Sequence, residues 1–392
     1  MSRKLASAWT FDHIYFVSSG RAALWLALRA AAALKPNRHD VVIPAYTCPA
    51  VASAVLKAGL KPVLCDIDLS TYAFDVSELE QKVGSSTLAI VPVHLFGFRA
   101  GLELISQCAL RKGAFVIEDA AQVFTNPASA SSGKDSKPKP TAHAAFFSFS
   151  RGKPLSAFYG GALITNDENL SRAVSHEYRN VKTGPFLREI PPLLSCSVYS
   201  FLSKPRWYWI PRLIPFLHLG QTRFEPEFPI YRGAWKIPAL LAALVKEIPE
   251  EEKGRERNAS WYWRELAPLS DLMHPLRPSY PYLRYPLLAR MKGLRDKILR
   301  SLALRGVSGS LFYPCPLNEL PGLREILKDS RAYPNALFLS ERLITLPVHG
   351  LMGETERLRV AEAVWSACNE FRSTLQAEVR APKNQQGTHR SL

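Results

Sequence analysis

Two hydrophobic rhythms alternate along the first 167 residues of the chain. Short runs rich in β-branched and aromatic residues recur at DVVIPAY (40–46), KPVLCDID (61–68), LAIVPVHLFG (88–97), AFVIEDAA (114–121), AAFFSFS (144–150) and GGALITND (160–167). Each has strand length and is apolar at consecutive positions, the mark of strands covered on both faces. Between them RAALWLALRAAAAL (21–34), AVASAVLKAG (50–59) and GLELISQCALRKG (101–113) carry apolar residues at helical spacing. Strands alternating with helices predict βαβ units and a mostly parallel sheet with helices on both faces. In such sheets ligands gather at the carboxyl ends of the strands, so the chemistry is expected there.

The rhythm then changes. TNPASASSGKDSKPKPTA (125–142) is small, polar and proline-bearing, and predicts a long exposed loop. Residues 186–230 carry prolines that interrupt every long helix, with Trp207, Tyr208 and Trp209 set among Lys204, Arg206 and Arg212. That mixture suits either a subunit or domain interface or a peripheral membrane contact, and interface packing is the preferred reading. From residue 236 onward one or two amphipathic helices precede an α+β stretch, with strands at YLRYPLLAR and ERLITLPVH and helices at RDKILRSLALRG and TERLRVAEAVWSACNEFRSTLQ. The pattern divides the chain into a large α/β domain (1–245), a small C-terminal α+β domain (246–378) and a disordered tail (379–392).

Composition narrows the function classes. With 47% hydrophobic and 21% charged residues the chain is globular. Its net charge of +16 favours a polyanionic or phosphorylated partner. No helix-turn-helix, zinc module or aromatic RNA-binding motif supports nucleic acid. No GxSxG elbow supports a serine hydrolase. The six cysteines (48, 65, 108, 196, 315 and 368) lie far apart, so no metal site is expected and the thiols read as reduced. With no secretory signal and no apolar run of about 18 residues, a cytoplasmic location is expected.

Within this frame one lysine is out of place. Lys153, in SFSRGKP, follows an apolar run at a strand end, and a desolvated lysine there becomes a nucleophile suited to imine chemistry. Alone it reads as an ordinary strand-end lysine. In VIEDAAQ, Asp119 ends a buried run and Gln122 follows three residues later. A carboxylate so placed can keep a pyridinium nitrogen protonated, or simply cap a helix. SSGRAALWLALRAAAAL (18–34) reads as a helix N-terminus whose free amides suit a phosphate.

Together these segments resemble the DegT/StrS-type sugar aminotransferases, which depend on pyridoxal phosphate and have the type I aminotransferase fold. The resemblance spans most of the chain and rests on SSGRAAL, DVVIPAYTCPAVASAVLKAGLKPVLCDID, IVPVHLFG, VIEDAAQ, FSFSRGKPLSAFYGGALITND and LITLPVH. It implies that Lys153 forms the imine with the cofactor, that Asp119 pairs with the ring nitrogen and that Gln122 lies on the ring's hydroxyl side. It implies that Ser148 and the backbone of Gly20, Arg21 and Ala22 hold the phosphate, and it places His94 in the neighbourhood. There are three departures. Arg21 stands where the family usually has threonine, its guanidinium either adding to the cradle or pointing away. Cys48 stands where an aromatic commonly stacks on the ring, so that Tyr46 or another ring must compensate. Ile230-Tyr231-Arg232 aligns with a family Asn-Tyr-Arg whose asparagine reaches the phosphate in the neighbouring subunit.

The implied activity is transfer of an amino group, usually from glutamate, to a keto group on a nucleotide-linked sugar for a polysaccharide or glycosylated metabolite. The implied assembly is a homodimer. Retention of Lys153 favours transamination over the dehydratase branch, where histidine replaces the lysine. Two rivals stand beside it: a catalytically altered binding or regulatory protein on the same fold, and an aminotransferase for a lipid-linked or other non-nucleotide acceptor.

Overall fold

The structure, a computed structural model, describes residues 12–98, 101–123, 142–185, 223–233, 237–275 and 280–380. All but the last residue of the 125–142 loop, the aromatic segment up to residue 222 and the C-terminal residues from 381 onward lie outside the described residues. The first part of the chain runs β1 (His13–Val17), α1 (Gly20–Leu34), β2 (Asp40–Pro44), α2 (Pro49–Lys57), β3 (Lys61–Cys65), α3 (Val76–Lys82), β4 (Thr87–Ile90), α4 (Leu102–Lys112), β5 (Phe115–Asp119), β6 (Ala144–Ser148), β7 (Gly161–Thr165) and α5 (Glu168–Asn180). After it come α6 (Ile237–Leu244), α7 (Ile248–Glu265), β8 (Met273–Pro275), β9 (Tyr285–Ala289), α8 (Leu294–Leu304), α9 (Arg324–Leu327), α10 (Pro334–Arg342), β10 (Leu343–Leu346) and α11 (Glu354–Arg380).

Seven strands form one sheet in the order β1-β7-β6-β5-β4-β2-β3. The pairs β2–β3, β2–β4, β4–β5 and β5–β6 are parallel, while β7 runs antiparallel to both β6 and β1. All six apolar runs read from the sequence are strands of this sheet. Alternate side chains divide between its faces. Val41, Ile43, Leu64, Ala89, Ile117, Phe146 and Leu163 join the core that contains α1 and α2. Val42, Cys65, Ile90 and Val116 face Leu79 of α3 and Ile105, Cys108 and Ala109 of α4. Ala145, Phe147, Ala162 and Ile164 face Leu241 of α6. Helix α1 is buried along most of its length, and its alanines let it lie close to the sheet.

The remaining strands make a second, antiparallel sheet in the order β10-β9-β8. One apolar core contains residues of both sheets, from Val17 to Cys368. Polar contacts also join the two parts. Asp66, just after β3, accepts hydrogen bonds from the amides of Asn335 and Ala336 at 2.9 and 2.8 Å and so caps α10. The Leu317 amide donates to Ala45 O at 2.8 Å. Strand β1 and helices α3 and α5 are additions to the elements expected from the sequence, as are β8, α9 and α10.

Candidate active site

The parallel strands end on a common edge, and the residues singled out in the sequence meet there. Asp119 is the last residue of β5 and is buried. Its backbone is locked by a bond from its amide to Pro92 O (2.8 Å) and by acceptance from the His94 amide (3.3 Å). Its Oδ1 accepts from the Ala121 amide at 3.0 Å. Ser148 closes β6, and the turn after it carries Lys153. Gly152 takes φ +76°, a left-handed conformation, to bring the chain round. Bonds from Phe149 N to Gly160 O and from Ala157 N to Phe149 O, both 2.9 Å, close the loop at its base. Lys153 is half-buried, and its charge acts on both Asp119 and Cys48.

Burial pushes the Asp119 carboxyl above its ordinary range, against the opposing pull of Lys153, the Ala121 amide and His94. A dry carboxylate of this kind is short of positive charge. His94 is itself buried, with Nε2 2.9 Å from Glu118 Oε2. Cys48 precedes α2, and burial raises its thiol above the usual value while Lys153 opposes the rise. Next to it the Thr47 hydroxyl is buried and makes no hydrogen bond with any described residue.

Helix α1 begins at Gly20, against Ser148. A Cβ on Gly20 would lie 2.8 Å from Ser148 Cβ, so glycine alone lets the strand end and the helix N-terminus touch. The Ser19 hydroxyl caps the helix by accepting from the Ala22 amide at 3.2 Å. The Arg21 side chain turns toward residues 225–228, pairing with Glu225 at 2.8 Å and lying 4.8 Å over the Phe228 ring. Of the two dispositions open to Arg21 in the sequence, this is the one pointing to a protein carboxylate. Tyr46 is fully buried and bonded to the backbone of Tyr313. Ile230 and Tyr231 lie on a strip beside β1, where Tyr231 exchanges hydrogen bonds with Ser18.

Two residues of the site escaped the sequence reading. Glu118 is the partner of His94. Tyr313 is buried, and burial, with Cys48 and Asp119 nearby, pushes its phenol well above the usual value while Gln122 opposes the rise. The prolines of YPCP favour a fixed turn, but nothing local in that stretch points to the sheet edge.

Pyridoxal phosphate asks for an amine, an anion for its ring nitrogen and a cradle for its phosphate. The residues fit. A half-buried lysine faces a buried carboxylate whose burial penalty a cationic ring nitrogen would relieve. A capped helix N-terminus with a serine hydroxyl packed against it would suit the phosphate. The unspent Thr47 hydroxyl is the kind of buried polar group that a ligand satisfies. Among the described residues no cluster of His, Cys, Asp or Glu has the makings of a metal site. No described helix is long and apolar enough to cross a membrane.

Comparison with known proteins accords with this geometry. The family model of the DegT/DnrJ/EryC1/StrS aminotransferases matches residues 1–181 and 237–365, passing over the segment that reads as atypical in the sequence. The UDP-2-acetamido-2-deoxy-3-oxo-D-glucuronate aminotransferase of Pseudomonas aeruginosa is 39% identical over 314 residues, covering 79% of this chain and 74% of that protein. A pleiotropic regulatory protein of Geobacillus stearothermophilus is 28% identical over 351 residues, covering 88% and 82% respectively. In fold, the chain is similar to Helicobacter pylori PseC, an aminotransferase involved in the biosynthesis of pseudoaminic acid. The TM-score is 0.73 at 20% identity, over 94% of this chain and 90% of that one.

Proposed function

Because this chain belongs to the DegT/DnrJ/EryC1/StrS aminotransferase family, we propose that it transfers an amino group, with glutamate as donor, to a keto carbon of a nucleotide-linked sugar. The observation that carries this reading is the meeting of Lys153, the buried Asp119 and the Ser148–α1 cradle on one sheet edge. Pyridoxal phosphate, when bound, supplies an electron sink that makes the hydrogen on the carbon bearing the amino group acidic.

The chain's own residues do the rest. Lys153 Nζ would be the amine that holds the cofactor covalently; as a free amine it would take the proton from that carbon and pass it to the cofactor carbon to which Lys153 had been joined. Asp119 would keep a proton on the ring nitrogen through a charge-assisted hydrogen bond. Ser148 Oγ and the amides of Gly20 and Arg21 would take the phosphate. The Ala22 amide contributes through the Ser19 cap, which fixes the helix end. Cys48 and Gln122 would line the ring's surroundings, and His94, bonded to Glu118, donates its amide to Asp119 O and helps hold that residue in place.

The 39% identical relative acts on a UDP-linked 3-oxo sugar acid, which supports an acceptor of that class here. The net charge of +16 suits a diphosphate-bearing substrate. The homodimer is part of the proposal; for residues 186–230 interface packing is the preferred reading and peripheral contact with a membrane the alternative. Loss of pelleting with anionic vesicles in a Trp207/Trp209 double alanine variant would support the membrane contact, and negligible pelleting of the parent protein would remove it.

The functional test adds glutamate to the cofactor-loaded protein and follows the visible band and 2-oxoglutarate together. Loss of the band with one 2-oxoglutarate per site, reversed by a UDP-linked 3-oxo sugar, supports the reading. A band that neither glutamate nor any other amino donor changes would point to the binding or regulatory alternative.

A further inference from the structure

A strap of chain, residues 223–233, lies across the start of α1 and is fastened there at several points. The Ser18 amide donates to Tyr231 O at 3.0 Å, the Ser18 hydroxyl donates to Pro229 O at 3.0 Å, and the Tyr231 amide donates back to Ser18 Oγ at 3.2 Å. The Gly233 amide reaches Phe16 O at 2.7 Å. Phe228 is buried, and Phe224 packs half-buried against the main core. Two exposed carboxylates stand between these two rings, and each meets a cation: Glu225 pairs with Arg21 at 2.8 Å, and Glu227 pairs with Lys57. The Phe228 ring receives both cations, Arg21 at 4.8 Å and Lys57 at 5.3 Å from its centroid.

Arg21 follows Gly20, the residue whose missing Cβ lets α1 touch Ser148, so its side chain springs from the rim of the phosphate cradle. Its charge there is already paired with a carboxylate. Among the described residues only its Nη1 has a protein acceptor, so Nε and Nη2 keep protons to give. The pair can also be broken. The Arg21 side chain is a quarter exposed and that of Glu225 more than half, and ion pairs this open to water are weak. A phosphate dianion offers the guanidinium more charge than a carboxylate does and suits its planar fork. Because the strap is anchored on both sides of Glu225, the carboxylate cannot drift away and competes at high local concentration.

We propose that Glu225 is a tethered competitor for the anion of the cradle: it holds the Arg21 guanidinium in reserve, and Arg21 exchanges Glu225 for the phosphate of pyridoxal phosphate when the cofactor binds. The proposal rests on the reading of the site given above. The phosphate and the acidic stretch of the strap then exclude one another at a single side chain, so each weakens the hold of the other by the same factor. A ligand without the phosphate leaves the Arg21–Glu225 pair intact. Lys57 lies at the end of α2 opposite Cys48 and takes no part in the exchange, so its pair with Glu227 keeps the strap in place meanwhile.

The test is a fluorescence titration of the cofactor-free full chain with pyridoxal phosphate and, separately, with pyridoxal, the same ring without the phosphate. Glu225→Gln removes the competing charge and keeps a side chain of the same size. It is expected to bind pyridoxal phosphate about fivefold more tightly than wild type, the span of an exposed ion pair, and to bind pyridoxal unchanged. Arg21→Ala, which keeps the helix amides, is expected to weaken pyridoxal phosphate binding about fivefold. In that background Glu225→Gln is expected to change the affinity by less than about twofold. Glu227→Gln, which frees Lys57 on the same strap, is expected to stay within about twofold of wild type, because salt screens a charge so open to water. No tightening in Glu225→Gln, no weakening in Arg21→Ala, or the same tightening in Glu227→Gln or without Arg21 would overturn the proposal. A wild type that binds pyridoxal phosphate no more tightly than pyridoxal would remove the phosphate cradle itself, and the proposal with it.

Discussion

The Asp119 carboxyl is buried at the end of β5, and its pKa in the cofactor-free protein lies above the ordinary 3.8 because burial outweighs Lys153, the Ala121 amide and His94. Between 3.8 and the raised value the folded chain binds more protons than the unfolded one. Stability therefore falls as pH climbs through that window and stays lower above it. Each unit of rise costs about 1.4 kcal/mol at neutral pH. Asp119→Asn removes the charge and keeps an oxygen for the Ala121 amide. Without cofactor, the variant is expected to melt above wild type at pH 7, by roughly 1 °C for each kcal/mol recovered in a chain of this size. Near the bottom of the window the advantage vanishes, since the wild-type carboxyl is then protonated. With cofactor the sign reverses: the neutral amide cannot balance a pyridinium, and loss of about 3 kcal/mol weakens binding roughly a hundredfold. Thermal melts of dialysed protein from pH 4 to 8, beside a fluorescence titration with pyridoxal phosphate, measure both arms. A cofactor-free variant less stable than wild type at pH 7, or one that binds the cofactor equally well, would refute this account of Asp119.

Three further outcomes are expected. Gly161→Ala would place a Cβ 2.4–2.6 Å from the backbone of Ser19 and Gly20, pushing β7 off the start of α1; a loss of about 2–3 kcal/mol in urea unfolding, with weaker phosphate binding, follows. At Asp329 burial acts upward, but hydrogen bonds from Arg331 and Tyr333 prevail and hold the pKa at about 2. Its contribution, on the order of 2 kcal/mol, is present above the unfolded pKa and is lost as pH falls through about 2, so Asp329→Asn should cost that much at pH 7 and little at pH 2. Asp66→Ala removes the acceptor for the Asn335 and Ala336 amides, and a loss of about 1–2 kcal/mol is expected in the unfolding midpoint.

The strands β2 to β7 were legible because both faces are buried and their apolar runs are continuous. Strand β1, HIYFV, lies half-exposed at the sheet edge, and its five residues resemble any short alternating stretch. Helix α5 packs through Leu170 and Val174 in an otherwise polar sequence, too few apolar positions for its period to stand out. Lys153, Asp119 and Ser148 could be read because each follows a run that ends at the sheet edge. The partners that define their neighbours could not. Tyr313 meets Gln122, and Glu225 meets Arg21, only through the closing of segments far apart in the chain. Local pattern carries no signal for such pairings.

The central claim is that Lys153 is the amine that holds the cofactor, and borohydride reduction tests it most directly. The protein is mixed with pyridoxal phosphate, reduced, digested and mapped by mass spectrometry, in parallel with Lys153→Ala. The account predicts an absorption band near ~420 nm in wild type only, with the cofactor's mass fixed on the peptide containing Lys153. A cofactor fixed on another lysine, or the same band in the alanine variant, would contradict it.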